Sequence, residues 1–123
     1  MQAVREHLEG VGLGDVAVSV ITVAELYFGV YNSAKVAANL ARADTFVSQI
    51  AVLPLTDSIS KTFGRLKADL RKQGQPVADF DLLIASTALV EQRTLVTNNV
   101  RHYARVPRLP LENWTIAPGS QTK

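Results

Sequence analysis

In the run Pro76-Val-Ala-Asp79-Phe-Asp81-Leu-Leu-Ile-Ala85, carboxylates stand at the head of a strongly apolar segment. A second run, Val18-Ser-Val-Ile-Thr-Val-Ala-Glu25-Leu26, places another just past a strand-like stretch. In open parallel α/β sheets, chemistry collects at the carboxyl ends of strands and at the helix starts beside them. Glu25 and Asp81 are therefore candidates for holding a divalent metal between acidic side chains. Asp79 and Asp81 lie two apart and cannot share a helix face. Asp79 directly follows a Pro-containing turn and is the better N-cap candidate. Asp81 then heads a stripe of small residues, Ala85 and Ala88, and a charge at the head of a buried helix needs a partner, of which a cation is one. A structural explanation stands beside the functional one. Thr22-Val-Ala-Glu25 reads as a capping box, and any acid in a helix's first turn is stabilised by the dipole.

Thr97, Asn98 and Asn99 follow the strand-like Thr94-Leu-Val-Thr97. A hydroxyl and two amides can orient a metal-bound water or donate to a phosphate oxygen, and they equally make a turn and a helix cap. Lys61, Arg65, Lys67, Arg71 and Lys72 crowd one segment, while Arg101, Arg105 and Arg108 follow the polar turn. Basic groups near carboxylates suit a phosphate-bearing substrate; a solvated helix face and a basic loop are the alternative. His102 has no second histidine at metal-ligand spacing and reads as a surface residue. Tyr27, Phe28 and Tyr31 read as core or oligomer contact. Phosphate-cradling glycine loops and a nucleophile elbow are absent from the sequence.

The elements that must position these groups alternate between helix and strand, which argues for α/β with a mainly parallel sheet. Helical spacing covers residues 3–9, and residues 16–21 are a β-branched buried strand. Thr22 then caps a helix to about Tyr31. Helices follow through Val36–Ile50 and Ile59–Leu70, separated by an edge strand at Ala51–Leu55, with Asp57 or Ser58 as the cap of the second. Gly74-Gln-Pro76 breaks that helix. Asp79 to about Glu91 is a buried helix, Thr94–Thr97 a strand, residues 99–104 a short helix, and Leu109–Trp114 a last strand or extended segment. With 123 residues and no cysteine, the chain is expected to form one domain over 1–116 with a flexible tail at 117–123. Disulfides and thiolate metal sites are excluded, which fits a cytoplasmic location. No apolar run reaches the roughly 18 residues of a membrane span. The net charge of +2 names no partner by itself.

The segments Ser19–Leu26, Asp81–Ala85, Leu95–Tyr103 and Leu109–Trp114, in that order, resemble the PIN domain, and especially the VapC-type toxins of bacterial type II toxin–antitoxin pairs. The resemblance implies a three-layer α/β fold with a mainly parallel central sheet flanked by helices. It also implies a Mg²⁺- or Mn²⁺-dependent endoribonuclease, a homodimer, neutralised by a small VapB-type antitoxin. Position by position, it carries a metal-binding role onto Asp81 and Glu25. Thr97 matches the polar residue after the fourth strand, and Asn99 falls where many relatives carry another acid. Asp79 matches no family acid. Arg101, Arg105, Lys61 and Arg65 would then meet the RNA backbone. The family opens with a strand ending in Asp-Thr-Asn, which these 123 residues do not contain. The sequence therefore leads to the expectation of a PIN-like domain lacking its first strand and one catalytic Asp. Its alternative reading is an inactive remnant that only dimerises or binds the antitoxin.

Overall fold

The computed structural model describes residue 10, residues 15–97 and residues 99–113. The helix expected at 3–9, the end of the last strand at Trp114 and the tail at 117–123 lie outside the described residues, as does Asn98. Two compact units make up the chain, one within residues 11–55 and the other of residues 1–10 and 56–123.

The first unit runs β1 (Ala17–Ser19), α1 (Val20–Tyr31), α2 (Val36–Ser48) and β2 (Ala51–Leu53). β1 and β2 pair in parallel, Ala17 opposite Ala51 and Ser19 opposite Leu53, as a helical crossover between two strands requires. The strand stops three residues into its β-branched run, earlier than expected. Ser19 is the reason. Its Oγ accepts from the Thr22 backbone amide at 3.0 Å and bonds the Thr22 hydroxyl at 3.0 Å. A helix N-terminus leaves orphan amides that a serine cap satisfies, and this outweighs the strand preference of Val20 and Ile21. Val30, Ala43 and Ile50 supply the unit's buried apolar side chains.

The second unit begins with α3 (Asp57–Lys72) and α4 (Asp79–Val90). Thr56, rather than Asp57 or Ser58, caps α3, its hydroxyl accepting from the Ile59 amide at 3.3 Å. Asp57 instead pairs with Lys61 one turn on, at 3.2 Å. α3 closes at Gly74, whose φ of 69° is left-handed. Gln75 donates back to the Leu70 carbonyl and Gly74 to that of Arg71, the paired bonds of a Schellman stop. α4 is buried at Leu82, Ala85, Ser86, Thr87 and Ala88. Its two hydroxyls tolerate burial because Ser86 donates to the Leu82 carbonyl and Thr87 to the Leu83 carbonyl, leaving no orphaned polar atom.

β3 (Leu95–Val96), α5 (Val100–Tyr103) and β4 (Leu111–Glu112) complete the unit. β3 and β4 pair in parallel, and the strands are shorter than the sequence patterns propose. One apolar cluster binds these elements: Leu66 and Leu70 of α3, Val77, Leu82, Ala85 and Ala88 around α4, then Tyr103, Val106 and Leu109. Among the described residues, no helix is long and apolar enough to cross a membrane.

Candidate active site

Asp81 sits in the first turn of α4, and its two neighbours explain where it points. Leu82 is fully buried in the second unit's core, while Asp79 turns aside to meet Lys67 of α3 at 2.9 Å. Asp79 is not the cap. Ala78 occupies that position without a side-chain bond, so the α4 amides receive no oxygen from Asp79. The separation of the two acids onto different faces is as expected, since adjacent helix positions two apart diverge by more than half a turn's width.

The Asp81 carboxylate is engaged at both oxygens by α5. Tyr103 donates its hydroxyl to Oδ1 at 3.2 Å, and His102 Nε2 lies 3.2 Å from Oδ2. The two rings meet edge to face, with centroids 5.4 Å apart. His102 is thus not a bystander on the surface, as its isolation in the sequence led one to expect; its side chain is only 23% exposed. Tyr103 is buried, its ring in the core and its hydroxyl on the acid. Neither residue carries a periodic or spaced sequence signal toward Asp81, because the link spans 21 and 22 positions and depends on how α5 docks.

Glu25 belongs to the other unit and has a different environment. With Ser19 as the cap, Glu25 falls beyond the first turn of α1, and the expected Thr22–Glu25 capping box does not form. The structural explanation for this carboxylate therefore lapses. Glu25 is exposed and borders an open groove of about 600 Å³ between α1 and α2, with Leu26, Val30, Arg42 and Phe46. Phe28 and Tyr31 are 71% and 63% exposed, so neither is core within this chain. Tyr27 instead donates to Asp44 of α2 at 2.6 Å, a bond that raises its phenol pKa above the ordinary value, helped by burial and the nearby negative charge.

Around α5, the Thr97 hydroxyl accepts from the Asn99 amide at 3.0 Å, so Thr97 shapes the turn before the helix. Asn99 occupies the cap position of α5 without a side-chain cap bond. Arg105 sends one guanidinium nitrogen to the Pro76 carbonyl at 2.9 Å, bracing the loop that leads into α4. Arg101 and Arg65 are exposed, and Lys61 shares its charge with Asp57 at the surface.

Among the described residues, no three His, Asp or Glu converge as a closed metal cage. That donor set still fits Mg²⁺, which keeps several waters and is commonly held by one or two carboxylates. Asp81 supplies hard oxygens of that kind, each with a further lone pair beyond the bond it already accepts.

The comparisons with known proteins agree with one another. The profile of the PIN domain matches residues 1–109. "Ribonuclease VapC2" of Rickettsia felis is 39% identical over 99 residues, covering 80% of this chain and 74% of the relative. "tRNA(fMet)-specific endonuclease VapC" of Shigella flexneri is 36% identical, covering 92% and 85% respectively. Among solved structures, DNA-bound VapBC from Salmonella typhimurium superposes with a TM-score of 0.87 at 31% identity, over 93% of this chain and 86% of that one.

Proposed function

The chain belongs to the PIN-domain family, on its VapC branch, and from that premise we propose that it is the ribonuclease toxin of a VapBC-type toxin–antitoxin module. The observation that carries the reading is Asp81: a partly exposed carboxylate at the head of a buried helix, held at both oxygens, on the residue where the family resemblance puts a metal ligand. By the family resemblance, Asp81 and Glu25 are each a candidate ligand for Mg²⁺ or Mn²⁺. When bound, such an ion lowers the pKa of water and stabilises charge developing on phosphoryl oxygens.

The chain's own groups do the rest. Asp81 supplies negative charge in a fixed orientation. Thr97 and Asn99, in the turn before α5, offer short polar groups to a water or phosphate oxygen. Exposed Arg101 and Arg65 bring positive charge to the RNA backbone, joined by Lys61 and Arg105. The Lys61–Asp57 pair is a surface contact worth about 0–1 kcal/mol and yields readily to a phosphate. Arg105 has donors to spare beyond the one on Pro76. A VapB-type antitoxin is the partner that would neutralise the activity, with the toxin as a homodimer.

Asp81→Asn and Glu25→Gln test this directly. Each should abolish Mg²⁺-dependent cleavage of an RNA mixture, a fall of at least about 100-fold given the loss of a charged ligand, with circular dichroism unchanged. Wild-type cleavage by Asp81→Asn would sink the assignment. A wild-type chain that binds antitoxin yet cleaves nothing at any Mg²⁺ concentration would instead select the inactive, antitoxin-binding reading.

A further inference from the structure

We infer that Tyr103 is a positioning residue for Asp81: its hydroxyl, donated to Oδ1, sets the carboxylate plane in which a divalent cation is taken. The inference rests on the metal role proposed for Asp81 and goes beyond it. Three observations support it. Tyr103 is 6% exposed and packed in the core shared by α3, α4 and the α5–β4 segment, so its hydroxyl is aimed from a buried base. His102, the preceding residue of the same helix, meets the other carboxylate oxygen at the same 3.2 Å. With one neighbour on each oxygen, rotating the carboxylate about its terminal bond breaks both contacts at once.

The chemistry of the hydroxyl suits that task. A phenol hydroxyl carries no positive charge, so it orients the acid without the repulsion a lysine or arginine would impose on an incoming cation. It also occupies only one lone pair of Oδ1, leaving another for a metal. A bare aspartate would have to give up rotamer freedom on binding, whereas this one has already lost it on folding. Partners of this kind, standing behind a metal-bound carboxylate, commonly change metal affinity by about 10–100-fold.

Tyr103→Phe removes only the oxygen and keeps the buried ring. Mn²⁺ titrated calorimetrically into the full chain should bind about tenfold more weakly in this variant. The metal-free thermal midpoint should stay near that of wild type. In cleavage assays, the Mn²⁺ concentration for half-maximal rate should rise in step, with the rate at saturating Mn²⁺ largely retained. A purely structural role would lower the midpoint and leave the affinity of the folded protein alone. Wild-type Mn²⁺ affinity in Tyr103→Phe, with binding lost in Asp81→Asn, would overturn the positioning role while leaving the metal site standing. Undiminished Mn²⁺ binding in Asp81→Asn would overturn both, and so separates the two failures.

Discussion

Glu25 and Asp81 are both acids near the start of a helix, yet the two units treat them differently. Asp81 rises from a core of nine buried residues and is gripped at both oxygens by one short helix. Glu25 stands exposed on α1, in a unit whose buried apolar side chains are Val30, Ala43 and Ile50. No hydrogen bond or ion pair among the described residues holds its carboxylate. The difference separates two ways of presenting charge. One acid is oriented by folding. The other is free to turn and must be oriented by whatever it binds, at a cost in side-chain entropy.

The sharpest way to break the contrast is to loosen the core beneath Asp81. Leu82 has no exposed surface, and Leu82→Ala should destabilise the protein by about 2–5 kcal/mol through lost burial and a residual cavity. Denaturant midpoints measure this; a loss under 1 kcal/mol would mean that Asp81 does not stand on a packed base. A smaller effect is expected beneath Glu25. Ser19→Ala removes the α1 cap and should cost about 1 kcal/mol, read from the same midpoints. Thr22→Ala serves as its control, since the backbone amide that Ser19 accepts from survives in it.

The smallest effect sharpens the contrast within the first unit. Tyr27 is held protonated by Asp44, so its raised pKa contributes stability that is fully present below pH 10 and lost as pH climbs through the folded value. Ultraviolet titration of wild type and Asp44→Asn should therefore differ by one tyrosine, which moves down toward the ordinary range when the carboxylate is removed. An unshifted Tyr27 would mean that the α1–α2 contact is absent in solution.

Much of the scaffold is legible in the residues. Helical spacing marks α2, α3 and α4, and Gly74 with Pro76 marks the break between the last two. The place of Asp81 in a helix's first turn is also legible, whereas Glu25 falls beyond the first turn because Ser19 starts α1 earlier than expected. The caps are less legible. Ser19 and Thr56 each precede the residue expected to cap, because neighbouring hydroxyls and carboxylates compete for the same amides and the sequence does not rank them. Ala78 precedes Asp79 with no side-chain bond, Asp79 being turned to Lys67. The parallel strands shrink from four to six expected residues to two or three, since a strand extends only as far as its neighbour's hydrogen bonds reach.

By itself, the sequence determined which side chains are available: the family motifs, the apolar faces that must be buried, and the two acids separated by 56 positions of chain. Local periodicity and composition act over a few residues, and these features need nothing more. Only the tertiary structure decided that His102 and Tyr103 close on Asp81, that Asp79 goes to Lys67, and that Glu25 has no capping duty. The third follows from Ser19 taking the cap of α1, while the first two depend on the docking of elements distant along the chain. There, the burial of Leu82 and the Tyr103 ring, rather than any local preference, selects the partner of a charge.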